Sequence, residues 1–300
     1  MKLISNPVYR REIRVSSRSF RLALVLLTFN GILALVALLN MYSMLSQVRA
    51  TAEIQYDSFL DLYMFVAVLE FVMLIFIMPA ITAGSISGER ERQTLDLMLS
   101  TRLTPTQIVL GKLMSSLSTM VLLIVSSFPI LALVFVYGGV TMRDMGLLLI
   151  CYGAAALFSG SLGVFCSALF RKSTLSTVVA YGVMGMIVIG TYGINQLALL
   201  FSRMPGEAYL VTTGAGGGGG SSGGFLYLLL LNPTATFVMT MLRLAGREAS
   251  RGKVTQWFGT HEEGFLSQNW VSCSVVLQIV MAVALIWMAV RAVRPGKKVR

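Results

Sequence analysis

Six runs of about 20 or more mostly apolar residues dominate the sequence, and each is long enough to cross a hydrocarbon core of about 30 Å. They extend from Leu22 to Met44, Leu62 to Ile86, Leu113 to Val136, Gly146 to Phe170, Thr174 to Leu200 and Trp270 to Val290. In lipid every backbone polar group must be satisfied internally, and runs of this length do so as helices. The expected fold class is therefore an all-α integral membrane bundle of six transmembrane helices. Composition agrees: 56% of the chain is apolar and 12% charged, about half the usual charged share, which excludes an ordinary water-soluble enzyme. The first run far exceeds the 7–15 residues of a signal core and no small-residue cleavage site follows, so it reads as a retained anchor.

Little raw material exists for catalysis or metal binding. His261 is the only histidine, and Cys151, Cys166 and Cys273 all lie in apolar stretches, so neither a His/Cys metal site nor a Ser-His-Asp triad is expected. No disulfide framework is implied. The net charge of +11 is explained by orientation rather than nucleic acid, because Lys and Arg are retained on the cytoplasmic side. One face collects Lys2, Arg10, Arg11, Arg14, Arg18 and Arg21, then Arg90, Arg92, Arg102 and Lys112, then Arg171 and Lys172, then Arg291, Arg294, Lys297, Lys298 and Arg300. That face holds 17 of the 24 basic residues. Both termini are expected in the cytoplasm, and the protein in a bacterial cytoplasmic membrane.

A seventh run, Phe225 to Leu242, is broken by Asn232 and Pro233 in its middle; proline removes a backbone donor and clashes with the preceding turn. Crossing here would also carry the basic tail outside. The helical segment 225–246 is expected to be a re-entrant or interfacial pair, within an outer loop 201–269 that also holds a Gly/Ser-rich linker at 214–224. Residues 1–21 form a cytoplasmic segment, 22–200 the first five spans, 270–290 the sixth and 291–300 a basic tail.

Asn6 and Pro7 are a cap residue and a first-turn proline. Tyr9, Ile13, Ser16 and Phe20 then recur at helical spacing, while Arg10, Arg14, Arg18 and Arg21 fall on other faces. This pattern suits a basic amphipathic helix in the headgroup layer, or else a solvated basic tail. Between the second and third spans, Glu89, Arg90, Glu91, Arg92 and Asp96 put both charge signs on a short helix, and Leu95, Leu97, Met98 and Leu99 give it an apolar side. Thr104, Pro105 and Gln107 form a capping box that opens the next helix. A mixed-charge helix across the mouth of two spans can receive a soluble partner; it can also be an ordinary charged loop.

Together these segments resemble the ABC-2 type permeases, the membrane subunits of ATP-binding-cassette transporters. Asn6 to Glu12 is similar to the opening of the bacterial branch that begins with an amphipathic helix. Pro79 through Gly84 to Glu89, Glu91, Thr94 and Leu95 resembles its cytoplasmic signature, with Gln93 standing where the family often has glycine. Thr104 to Lys112 matches the continuation, and Asn232 with Pro233 resembles the outer element before the last span. The resemblance implies that residues 87–100 form the coupling helix, with Glu89, Arg90, Glu91, Arg92, Thr94, Leu95 and Met98 docking on an ATPase and Leu95 and Met98 filling its groove. It implies that Tyr9, Arg10, Arg11, Ile13, Arg14 and Phe20 belong to the flanking interfacial helix. It also implies two permeases, identical or related, working with two ATPases, most readily as an exporter.

The chain itself is not expected to be an enzyme. A phosphate-binding loop needs Gly-x-x-x-x-Gly-Lys-Ser/Thr, but before Gly111 and Lys112 the first glycine position is Thr106, and Leu113 follows. The stretch from Gly246 to Lys253 is one residue too long and ends in Val254. No cofactor is expected in this chain; ATP and magnesium would belong to the partner ATPase. Two other classes carry different expectations: an ATPase-independent channel or ion-coupled carrier would need several ionisable groups in its spans, and a scaffold would tolerate loss of the charged connection. Glu70 is the only acidic residue within the spans. It reads either as lining a translocation route or permease interface, or as a protonated acid bonded to a neighbouring helix. Ala156 with Gly160, and Ser159 with Gly163, form small-xxx-small pairs that let another helix come close.

Overall fold

The computed structural model describes residues 7–17, 19–51, 57–100, 103–137, 141–202, 223–244 and 269–294, and every regular element among them is helical. Asn6, Arg102, most of the Gly/Ser linker, most of the outer loop including His261, and the tail residues Lys297, Lys298 and Arg300 lie outside the described residues. The helices are α1 (Pro7–Ser17), α2 (Phe20–Thr51), α3 (Asp57–Ala83), α4 (Ser87–Glu91), α5 (Thr94–Ser100), α6 (Pro105–Tyr137), α7 (Met142–Leu169), α8 (Ser173–Gly185), α9 (Thr191–Ser202), α10 (Pro233–Leu244) and α11 (Trp270–Val293). A π-helical stretch, Met186–Gly190, joins α8 to α9, and a 3₁₀ helix, Gly223–Leu231, precedes α10. Six helices among the described residues are long and apolar enough to cross a membrane, in the six places the sequence assigns.

Local chemistry sets the boundaries. At the start of α6 the Thr104 amide donates to Gln107 Oε1 (3.0 Å) and the Gln107 amide to Thr104 Oγ1 (3.3 Å), the reciprocal pair of a capping box. Thr141 and Asp144 repeat the device at α7, with the Thr141 amide 3.1 Å from Asp144 Oδ2. Two prolines sit inside spans, Pro79 in α3 and Pro129 in α6. A turn loosened by proline in a membrane helix can be completed by a neighbour's side chain. In the turn before Pro79, the Tyr181 hydroxyl donates to the Phe76 carbonyl at 2.6 Å. One boundary differs from the sequence reading: α1 ends at Ser17, and Phe20 opens α2 instead of extending the amphipathic helix.

The chain divides into two compact units. The first comprises Met1–Gly146, Ala155–Tyr181 and Met281–Arg300; the second comprises Leu147–Ala154 and Gly182–Val280. In the first unit, α3 packs closely on α7 through the small residues the sequence singles out. Ala156 and Ser159 are buried. A Cβ on Gly163 would stand 2.0 Å from Thr82 Oγ1 and 3.2 Å from the Ala83 amide nitrogen, so the Thr82 side chain occupies that space with the α3 backbone close behind it. At Gly160 the obstacle is the mobile end of Met78, 2.6 Å away. Glu70 is buried in α3.

In the second unit the 3₁₀ helix and α10 meet at an angle of 98°, and Asn232 sits in the corner. Its Oδ1 accepts from the amides of Thr234 (2.9 Å) and Ala235 (3.4 Å), capping α10. Its Nδ2 donates to the Val188 carbonyl (3.0 Å) and to Thr191 Oγ1 (2.9 Å). Val188 belongs to the π stretch, where the widened ladder admits side-chain donors. One amide thus ties a helix start to a helix irregularity 44 residues earlier. Behind the corner, Ser274 donates to the Leu230 carbonyl (2.6 Å), Thr236 and Ser274 bond each other, and Gln278 Nε2 donates to both (2.8 and 3.1 Å). Leu226, Leu229, Leu230, Ala235 and Trp270 close an apolar cluster around them.

Candidate functional site

The connection between the second and third spans folds as two short helices, α4 and α5, joined by a tight turn. Gln93 makes that turn with φ 55°, and among the described residues it is the only non-glycine with positive φ. A left-handed backbone disfavours side chains with a Cβ. The turn that a glycine would make easily is therefore kept here, and the glutamine is held in it by its surroundings.

Those surroundings are specific. Ser167 Oγ accepts from the amides of Ile86 (2.8 Å) and Ser87 (2.9 Å), fixing the start of α4 to the end of α7. Lys112, only 5% exposed on α6, reaches Glu12 Oε1 of α1 at 3.1 Å and Glu89 Oε1 of α4 at 3.4 Å. The Thr94 hydroxyl donates to the Glu89 carboxylate, joining α5 to the same cluster. Glu91 accepts from the Ser173 amide (3.0 Å) and hydroxyl (2.7 Å), capping α8. Arg90 donates to the Phe170 carbonyl at 3.5 Å, and Arg92 is exposed. Four helices and the α7–α8 junction thus hold one short segment.

The apolar side of α5 is divided. Leu95 is 4% exposed and packs with Ile86, Val109, Leu113, Val164, Ala289 and Val293 in the core of the first unit. This corrects the expectation that Leu95 fills a partner's groove: its side chain is already enclosed, and it anchors α5 to the bundle. Leu97 is the outward residue, 67% exposed, with Met98 half-buried beside it. A groove of about 390 Å³ runs between α1 and α5, lined by Pro7, Val8, Arg11, Leu97, Met98 and Leu103.

Of the N-terminal residues, Val8 is buried and Tyr9 and Ile13 are half-buried, while Arg10, Arg11 and Arg14 are exposed. The Tyr9 hydroxyl bonds Ser118 Oγ of α6 at 3.0 Å, so α1 rests on the third span and presents its arginines away from it. Sequence reasoning missed the pairing of Glu12 with Lys112, 100 residues apart. Lys112 was conspicuous only as the end of a failed phosphate-loop match. A lysine at the edge of an apolar run, with two acidic residues in neighbouring segments outside the runs, was the available signal.

A comparison with protein families matches residues 21–293 to the ABC-2 family of transporter proteins. The chain belongs to this family. The ABC-2 protein described here is accordingly a multi-pass membrane permease of an ATP-binding-cassette transporter, a family whose permeases partner an ABC ATPase. A search of curated proteins finds no match. The family match begins at Arg21, so α1 lies outside it and its role rests on its own geometry.

Proposed function

We propose that this permease couples ATP hydrolysis on a separate cytoplasmic ATPase to substrate export, with α4 and α5 as the docking element. The observation that carries the reading is the division of labour along α4–α5. Leu95 and Glu89 are tied inward to the bundle, whereas Leu97 and Met98 remain outward beside the groove against α1. An element that transmits force needs both halves: packed anchors toward its own helices and an apolar surface toward the partner. Exposed Arg92 and Arg11 at the rim would set register and partner choice.

In this reading both termini are cytoplasmic, the membrane is a bacterial cytoplasmic membrane, and two permeases, identical or related, assemble with two ATPases. Closure of the ATPases on nucleotide would push on α4–α5 and tilt the spans to which it is bolted. The corner at Asn232 supports an outer re-entrant element over a seventh span. Each arm is about 18 Å long, and a 98° bend between them leaves the pair short of a core of about 30 Å.

Co-purification of the tagged permease with its ABC ATPase tests the proposal. Leu97→Asp should lower ATPase retention about tenfold or more, as expected for a central apolar contact, while leaving the permease folded because the residue is exposed. Leu95→Ala should reduce thermal stability first and coupling only as a consequence. Normal assembly, ATP turnover and transport in the Leu97→Asp protein would require the docking assignment to be withdrawn.

A further inference from the structure

The first unit holds a second, larger cavity, of about 800 Å³, whose lining differs in kind from the α1–α5 groove. Arg90 of α4 and Arg171 beyond the end of α7 supply guanidinium groups, and Ala168, Leu169 and Ala292 supply an apolar wall. Glu91 also lines it, but its carboxylate is already engaged by the Ser173 amide and hydroxyl. Arg90 spends one donor on the Phe170 carbonyl at 3.5 Å, out of the five a guanidinium carries. Arg171 forms no ion pair with any described residue. The cavity therefore offers a pair of cations with most of their donors uncommitted, next to exposed Lys172 and Arg92 in the chain.

Its depth follows from α11. Trp287 is exposed, and the Arg291 guanidinium lies 5.5 Å from the centre of its ring. An outward tryptophan under an arginine at a helix end marks the level where hydrocarbon gives way to headgroups. Ala292 in the cavity wall follows Arg291 directly, and Leu169, an exposed apolar residue, stands at the corresponding end of α7.

We propose that this cavity binds the phosphate headgroup of an anionic phospholipid, held by Arg90 and Arg171, with an acyl chain lying along Leu169. Basic pockets between helices on the cytoplasmic side bind such headgroups, and the apolar lip beside the arginines favours a lipid over a soluble phosphate. The inference rests on the membrane setting of the family and not on ATPase coupling, so it stands or falls independently of the docking reading.

Native mass spectrometry of the full chain in detergent, titrated with phosphatidylglycerol, phosphatidylcholine or inorganic phosphate, tests it. The unmodified protein should retain phosphatidylglycerol well above phosphatidylcholine. Arg171→Gln should weaken that retention about fivefold, and the double change with Arg90→Gln about 25-fold, with phosphatidylcholine unaffected. Leu169→Trp fills the cavity without altering charge and should abolish the preference; it carries the test should the double variant fail to fold. Equal phosphatidylglycerol retention in the Arg171→Gln and Leu169→Trp proteins would overturn the proposal. Displacement of the lipid by millimolar inorganic phosphate would overturn the lipid assignment in favour of a simple phosphate site.

Discussion

At the foot of α6 the first unit encloses a charged cluster, Lys112 with Glu12 and Glu89, whereas at its corner the second unit encloses only neutral groups, Asn232, Thr236, Ser274 and Gln278. The two clusters solve different problems. Neutral amides and hydroxyls can be wholly satisfied by one another and by backbone, so they can be sealed in an apolar interior at modest cost. Charges are costly to seal, and here the two carboxylates keep 34% and 20% of their side-chain surface exposed. The neutral cluster is suited to holding a fixed corner. The charged cluster is suited to a place whose environment changes, because its strength depends on water and on neighbouring charge.

The contrast can be broken most severely at Asn232. Asn232→Leu removes the α10 cap and leaves the half-buried Val188 carbonyl without its side-chain donor, a combined loss of about 2–3 kcal/mol, measurable as a lower midpoint of unfolding in mixed micelles. Asn232→Asp keeps the cap acceptor but loses the donor to Val188 and should fall in between. If the leucine variant unfolds normally, the corner is held by its apolar cluster alone.

Next comes Lys112→Met, which leaves two carboxylates facing each other without their cation. Breaking a fully buried pair costs about 3–5 kcal/mol; partial exposure of both carboxylates reduces the expectation to about 2 kcal/mol. Adding Glu89→Gln to Lys112→Met should recover part of the loss, a recovery that a purely steric role for the lysine stem would not produce. The neutral counterpart is Gln278→Leu, expected to cost about 1 kcal/mol, because Thr236 and Ser274 still bond each other when the amide is gone. A cost larger than that of Lys112→Met would mean that the Gln278 amide, and not the bond between Thr236 and Ser274, holds this part of the corner together.

The smallest effect runs the other way. Gln93→Gly relieves a left-handed backbone worth about 1–2 kcal/mol but adds unfolded-state freedom worth about 0.4–1 kcal/mol, so a net gain of roughly 0.5 kcal/mol is expected in the same assay. A net loss would mean that the glutamine side chain itself contributes to the α4–α5 turn.

Much of this architecture is legible from residue order. The spans follow from runs of apolar residues, the start of α6 from Thr104 and Gln107, and the corner from Asn232 and Pro233, because each signal is local and its period or cap is unambiguous. The close approach of α3 to α7 could be anticipated from Gly160 and Gly163, but not its partner, Thr82. The orientation of α5 was not legible. Leu95, Leu97, Met98 and Leu99 leave a seven-residue helix apolar on most of its circumference, so the pattern names no inward face; contacts from α6, α7 and α11 choose Leu95. The cap at Thr141 and Asp144 was readable from the same spacing rule as Thr104 and Gln107. The π stretch at Met186–Gly190 carries no local signature, since Met, Ile and Val would equally continue an ordinary helix.

The five residues of α4 are fastened at four places, to Ser167 at the start, to Lys112 through Glu89, to the Phe170 carbonyl through Arg90 and to Ser173 through Glu91 at the end. A short helix fastened to several neighbours along its whole length has little freedom to rock independently. Any thrust delivered to α4 is therefore shared among α6, α7 and α8 at once instead of being absorbed by the loop, and the segment acts as a bracket with almost no backlash. Cutting the fastenings at one end restores a hinge, and a push on α4 would then turn it about those that remain before any of the helices it is tied to had moved.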